Sequence, residues 1–274
     1  MLIPTIIGAI LIVAFIAHAL RKKNPLLDLK LFKNRTLSIA VLTMVLFMIA
    51  FFGAALLFPQ YFIGVRGEST LAAGLLLAPQ GIGAMLTMPI AGKLTDKMGP
   101  GKFVLGGIVL ILIGMATFTM LGASTSYWLI CGSLFVQGLG MGMAMMPIMS
   151  AALATLSNAQ VPDGSTLMNV IQQAATSIGT AVISVILASS LANKPEAGLA
   201  IMANTSDKPL PPGVPNPLPE SFFDTAADVF SNTFVVSVVL IVLTLIPAFF
   251  LPPRKKIASP LTEEDLDRGP IMMH

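Results

Sequence analysis

Seven long runs of apolar residues dominate this sequence and restrict the folds open to it. About 20 apolar residues span the hydrocarbon core of a bilayer as a helix, and each run has about this length. Only α-helices and closed barrels satisfy the backbone inside lipid, and unbroken runs of this length are helices. The sequence therefore predicts an all-α membrane protein with about seven transmembrane helices, at residues 2–20, 37–58, 71–91, 103–121, 127–153, 165–191 and 229–251.

The composition excludes several functional classes. Charged residues make up 11% of the 274 positions, against about 25% in soluble proteins, so they are too few to cover a water-facing surface. The chain has one cysteine, Cys131, and two distant histidines, His18 and His274, and it has no CxxC, HExxH or phosphate-binding-loop motif. It therefore predicts no metal, no cofactor and no catalytic constellation. The net charge of +3 comes from cations beside the apolar runs, which favours topology signals over nucleic-acid binding.

The first apolar run, residues 2–20, has a competing interpretation as a secretory signal peptide. A signal peptide begins with positive charge and ends at a small-residue cleavage site. Here the start is neutral, and the charges of Arg21, Lys22 and Lys23 follow the run. We therefore favour a spanning helix.

The lysines and arginines indicate an orientation. Thirteen of the 16 lie in residues 21–35, in residues 92–102 or after residue 253, and these segments all fall on one side of the predicted membrane. The positive-inside rule makes that side cytoplasmic. With seven spans, Met1 lies outside and His274 inside, and we expect a bacterial cell-membrane protein.

The segment 192–228 differs from the rest because it contains seven prolines. Such density opposes a long helix and predicts an extended or irregular connector outside the membrane. Ligand binding by this loop is the alternative, although a solvated connector is favoured. The acidic tail, residues 254–274, is predicted to be disordered and cytoplasmic.

The predicted spans carry no charged residue near their middles, so their candidate functional groups are uncharged amides. Two of them, Asn169 and Gln173, are four residues apart and share a helix face, with Gln172 beside it. An amide facing lipid is costly, so these side chains should face a cavity or another helix. Two interpretations stay open, namely hydrogen bonds between helices and a substrate pathway. The candidates are Gln80, Gln137, Asn169, Gln172 and Gln173.

The segment 92–102 carries the most informative motif. It resembles the G-x-L-x-D-[RK]-x-G loop of the major facilitator superfamily, which connects two transmembrane helices on the cytoplasmic side. The matching residues are Gly92, Leu94, Asp96, Lys97 and Gly99. In the family this loop acts in gating, and we expect Asp96 to accept hydrogen bonds from a neighbouring helix N-terminus.

Two further stretches sharpen this resemblance. Residues 25–35 are similar to the cytoplasmic stretch before the ninth helix of the fourteen-helix drug–proton antiporters, and residues 169–182 are similar to their thirteenth helix. Many of those proteins have arginine where this chain has Gln172, so any role of that charge is in question here.

The resemblance implies a domain organisation and a function. Residues 1–35 correspond to a linker helix and a cytoplasmic loop, residues 36–253 to the C-terminal six-helix half, and residues 254–274 to a tail. An N-terminal half would be the missing partner. The implied function is export of amphipathic drugs across the bilayer in exchange for protons, by alternating access. Transport of another solute and a truncated, non-transporting membrane protein are the alternatives.

Overall fold

The computed structural model describes residues 35–153, 161–206, 211, 214–215 and 217–251, without the side chains of residues 96–98 and 163. The described residues form helices and their connections, as the apolar runs predict. Three predictions fall outside the described residues. These are the spanning helix at 2–20, the loop at 21–35 except for Arg35, and the tail from 254 onwards.

Nine α-helices and one 3-10 helix make up the described part of the chain. Six helical segments are long and apolar enough to cross a membrane, and they match the second to seventh predicted spans. The helices are α1 (Arg35–Ala55), α2 (Leu57–Gly64), α3 (Thr70–Leu76), α4 (Ala78–Met98), α5 (Pro100–Ala116), the 3-10 helix Thr117–Met120, α6 (Tyr127–Leu153), α7 (Val161–Ala192), α8 (Pro195–Thr205) and α9 (Glu220–Phe249).

Two of the spans are interrupted just ahead of a proline. The α1–α2 break at Leu56 precedes Pro59, and the α3–α4 break at Leu77 precedes Pro79. Proline has no N–H for the carbonyl four residues earlier and clashes with it, so the preceding turn is released. Each span nevertheless continues through the break, because Leu56 and Leu77 keep right-handed helical dihedral angles.

The helices pack as two groups of three with the same pattern of contacts. In one group α6 packs against both α4 and α5, and in the other α1 packs against both α7 and α9. The α1–α6 and α5–α9 contacts join the groups. In span order, the first span packs against the fifth and sixth, and the fourth span packs against the second and third. The first three spans and the last three therefore have equivalent contacts, as in the internal repeats of membrane transporters.

Glycines permit the closest approach in both groups. A methyl group placed on Gly83 of α4 would lie 2.8 Å from the backbone nitrogen of Leu139 in α6. A methyl group on Gly53 of α1 would lie 2.8 Å from the carbonyl oxygen of Gly179 in α7. These α4–α6 and α1–α7 seams occupy equivalent places in the two groups. Small residues are the usual means by which membrane helices approach closely.

The two ends of the bundle differ in how they are built. At one end, here called the Gly99 end, Gly99 alone connects α4 to α5, with a φ of 86° that favours glycine. At the other, here called the Arg66 end, aromatic rings close the core. Phe118 lies with its centroid 4.9 Å from that of Phe58 and 5.3 Å from that of Phe234.

Two predictions about connectors were wrong. The segment 92–102 is not a loop, because α4 continues to Met98 and only Gly99 is non-helical. The proline-rich segment 192–228 is not irregular throughout, because α8 occupies residues 195–205 and buries Ala197 and Ala200. Pro195 is the first residue of α8, where the missing N–H costs nothing.

Candidate functional site

A pair of glutamine amides connects α4 to α6. Gln80 Nε2 donates a hydrogen bond to Gln137 Oε1 at 2.9 Å, and Gln137 is completely buried. Gln137 Nε2 is also buried and has no hydrogen-bond partner among the described residues. If the nitrogen and oxygen of both amides were exchanged, Gln137 Nε2 would donate to Gln80 Oε1, and Gln137 Oε1 would be unpaired instead. One polar atom of this amide is therefore open to another group under either assignment.

Close packing along the same seam holds this pair in place. A methyl group on Gly138 would collide with the carbonyl oxygen of Gln80, so only glycine allows α4 to approach here. About one turn further along α6, a methyl group on Gly142 would likewise collide with Thr87 Oγ1. Thr87 Oγ1 donates to the Leu139 carbonyl at 2.9 Å. The backbone register therefore places Gln80 opposite Gln137.

A second site is a cavity of about 200 Å³ bounded by α1, α4, α6 and α7. Among the described residues, Gln172 of α7 is the one polar residue that lines it, and Gln172 Nε2 donates to the thioether sulfur of Met44 at 3.4 Å. The other lining side chains are apolar, and six of the eight are methionines. They are Met44, Phe47, Met48, Met88, Met145, Met146, Ile148 and Met149.

The five candidate amides do not converge on one point. Along α4, Gln80 lies about 27 Å from Met98, whereas Met88 of the cavity lies about 15 Å from it, at a rise of about 1.5 Å per residue. The glutamine pair is thus nearer the Arg66 end, and the methionine cavity is nearer the Gly99 end. Asn169 and Gln173 lie on the exposed face of α7, while half-buried Gln172 points to the cavity.

The predicted gating motif lies on the last turns of α4 and at its end. Gly92 is half-buried, Leu94 is exposed and Gly99 forms the junction with α5. A groove lined by Met88, Met146, Gly92 and Lys93 lies between this region and the methionine cavity, and Met88 and Met146 border both spaces. The side chains of Asp96 and Lys97 lie outside the described residues, so the predicted contact of Asp96 stays a prediction.

Sequence reasoning missed a polar cluster at the Arg66 end. Arg66 lies over the ring of Tyr127 at 4.3 Å and donates to the Ala123 carbonyl at 2.5 Å. Tyr127 in turn donates to Glu68 at 2.5 Å. Asn204 of α8 donates to the Gly64 carbonyl at 3.0 Å. The cluster fastens the α2–α3 turn to α6 and α8. The one sequence signal was the charged Arg66-Gly67-Glu68 triplet between two apolar runs.

The methionine cavity was missed as well. Its sequence signal was the stretch 143–149, Met-Ala-Met-Met-Pro-Ile-Met, within a chain that has 17 methionines. Methionines within one span are usually packing residues. The cavity becomes evident only when the structure brings methionines from three helices together.

Known proteins resemble this chain along most of its length. Residues 1–180 match the family model described as Major Facilitator Superfamily. A "Multidrug resistance protein B homolog" of Mycobacterium tuberculosis (strain ATCC 25618 / H37Rv) is 40% identical over 269 residues, covering 93% of this chain and 49% of that protein. "Lincomycin resistance protein LmrB" of Bacillus subtilis (strain 168) is 30% identical, with 91% and 49% covered. "Multidrug export protein EmrB" of Escherichia coli (strain K12) is 29% identical, with 66% and 36% covered. The chain therefore spans about half the length of the first two.

Proposed function

Because the chain belongs to the major facilitator superfamily, we propose that it forms the C-terminal part of a multidrug efflux transporter. In this proposal it exports amphipathic compounds in exchange for protons, by alternating access between two halves. Two of the three relatives are named for drug resistance and the third for multidrug export, and these names support drug export as the activity. Transport rather than catalysis follows from the family.

The methionine cavity is the observation that carries this proposal. It is an uncharged, adaptable space inside the bundle, with a single amide to orient a ligand. Pockets for small molecules are mostly apolar with a few placed polar groups. Methionine side chains are flexible and polarisable, so a surface rich in them can adapt to ligands of different shape.

The exposure of two spans supports a partner half. Within their most apolar stretches, the α3–α4 span is 11% buried and α7 is 22% buried, whereas the other four spans are 39–61% buried. The exposed face of α7 carries the amides of Asn169 and Gln173. Amides facing lipid are unfavourable. We propose that an N-terminal half covers this face, and that the α3–α4 span and α7 border the pathway between the halves.

The proposed orientation and gate complete this mechanism. The Gly99 end would be cytoplasmic because the described part of that end carries Arg35, Lys93 and Lys102, as the positive-inside rule requires. The gating motif would hold that end shut and release it when the partner half moves. Its residues are Gly92, Leu94, Asp96, Lys97 and Gly99.

Efflux from intact cells tests the proposal. The longest reading frame that contains this chain is expressed in a bacterial strain that lacks its own drug exporters, and loss of preloaded ethidium, an amphipathic cation, is followed by fluorescence. We expect energised efflux that a protonophore abolishes, with an empty vector as the control. Efflux that survives the protonophore would contradict proton exchange. Absence of efflux for a panel of amphipathic dyes, with the protein present in the membrane, would contradict drug export.

A further inference from the structure

We infer that the methionine cavity is a subsite for one uncharged aromatic group of a substrate, with Gln172 binding a hydrogen-bond acceptor on that group. This inference rests on the proposed function and deepens it, because it assigns a chemical class to one part of the pathway.

The first argument is charge. Eight of the nine lining side chains are apolar, and the ninth is a neutral amide. A charged group placed here would lose its hydration and gain no opposite charge from the described residues, which is strongly unfavourable. Met44, Met48 and Ile148, which are at most 3% exposed, form the floor. The cavity therefore selects the uncharged part of an amphipathic molecule and leaves any ammonium group outside its mouth.

The second argument is size. Cavities that hold a whole drug-sized ligand measure about 300–1,000 Å³, and this one measures about 200 Å³. It can therefore take one ring system rather than a complete drug. Thioether sulfurs make favourable contacts with aromatic rings, and an unbranched methionine can turn to fit a flat group. Six thioethers around one small space favour an aromatic ring over a branched aliphatic group.

The third argument is the contact between Gln172 and Met44. The amide nitrogen of Gln172 donates to a thioether, which is a weak acceptor, at 3.4 Å. A carbonyl or hydroxyl oxygen on the ligand would be a stronger acceptor for the same N–H. The Met44 sulfur therefore holds the place of a ligand oxygen, and the flexible Met44 side chain can withdraw when the ligand enters.

Methyl NMR of the full-length protein in lipid nanodiscs tests the subsite directly. The methionines are labelled with ¹³C at their ε-methyl groups, and 2-acetylnaphthalene, an uncharged bicyclic ketone, is the probe. We expect saturable ring-current shifts at Met44, Met145 and Met149. The control is Met120, which lies at the Arg66 end and is 86% exposed. Equal shifts at Met120, or shifts that never saturate, would overturn the subsite.

Variants separate the two parts of the inference. Gln172→Leu should weaken binding of 2-acetylnaphthalene about fivefold, the usual effect of one hydrogen bond, and leave binding of naphthalene unchanged. Met149→Phe should fill the space and weaken both probes, whereas Met120→Phe should weaken neither. Equal loss of both probes in Gln172→Leu would overturn the acceptor role.

A cationic probe tests the exclusion of charge. Trimethyl(naphthyl)ammonium, with its charge directly on the ring, should bind at least tenfold more weakly than 2-acetylnaphthalene. Equal binding would overturn the selection for an uncharged group. Binding is measured without transport, so a protein that binds the probe and exports nothing would contradict the proposed function while supporting the subsite. Export without the expected NMR shifts would support the proposed function and overturn the subsite.

Discussion

Gln80 and Gln137 share one hydrogen bond across the α4–α6 seam, although the amide of Gln137 has room for more. Gln80 Nε2 donates to Gln137 Oε1 at 2.9 Å, and the buried Gln137 Nε2 has no partner among the described residues. The two residues therefore differ in how far they depend on this hydrogen bond, because Gln80 is only half-buried and can reach other groups.

This inequality predicts different effects on stability. Gln80→Met removes the one partner that a buried amide has among the described residues, which should cost about 1–3 kcal/mol. Gln137→Met removes the buried amide itself together with its unpaired atom, so its cost should be smaller. The thermal unfolding midpoint of each purified variant in detergent measures the difference. A larger loss for Gln137→Met would show that this amide is satisfied in the folded protein.

The glycines of α6 should respond to alanine according to their place on the helix. Gly138→Ala would push a methyl group into the Gln80 carbonyl, and such overpacking typically costs about 1–3 kcal/mol. Gly132, on the same helix, has nothing within 4 Å of an added methyl group. Gly132→Ala should therefore be neutral or stabilising by up to about 1 kcal/mol. Similar unfolding midpoints for the two variants would contradict the close α4–α6 seam.

The amide face of α7 should influence substrate preference. In cells that express the full-length protein, Asn169→Leu or Gln173→Leu should change the relative resistance to different drugs while the amount of protein in the membrane stays the same. Val182→Leu, on the exposed apolar part of α7, is the matched control. Unchanged profiles for both amide variants would leave only a packing role.

The gating prediction rests on Asp96. A carboxylate at a helix N-terminus is worth up to about 2 kcal/mol when partly buried, so Asp96→Asn should weaken the closed state and slow drug efflux while drug still binds. We expect the thermal stability of the isolated 274-residue chain to change little, because the predicted partner helix belongs to the other half. Normal efflux by the variant would discard the gating role.

The orientation can be tested with single cysteines. In a Cys131→Ala background, Ser206→Cys and Ser259→Cys should react with an impermeant thiol reagent from opposite sides of the membrane. In intact cells Ser206→Cys should be labelled, and Ser259→Cys should be labelled only after the membrane is opened. Equal labelling of both in intact cells would contradict the topology derived from the lysines and arginines.

The spans could be predicted because hydrophobicity alone determines which segments can enter a bilayer. The run 127–153 was predicted with the same bounds that α6 has. The break at Leu56 was not predicted, because proline is tolerated in membrane helices and its effect depends on the local packing. The α8 helix was missed because proline density opposes a long helix, whereas a short helix can begin at a proline, as α8 does at Pro195.

The site was harder to predict than the spans. The sequence identified Gln80, Gln137 and Gln172 as uncharged polar groups in an apolar setting, which is a property of each residue alone. It could not show that Gln80 meets Gln137 while Gln172 meets Met44, since those contacts depend on the register of helices far apart in the chain. For the same reason the sequence did not reveal the cavity formed by methionines from three helices.

The single-residue junction at Gly99 also has a consequence for how the protein is made. With no loop between them, α4 and α5 must enter the membrane as one hairpin. Yet each packs mainly on α6 rather than on the other. At about 5–20 residues per second, synthesis reaches the end of α6 only seconds after α5 is complete. Until then the surfaces of α4 and α5 that contact α6 stay unoccupied, and a nascent chain halted before residue 127 should expose Gly83 of α4 and Gly107 of α5 to other helices in the bilayer.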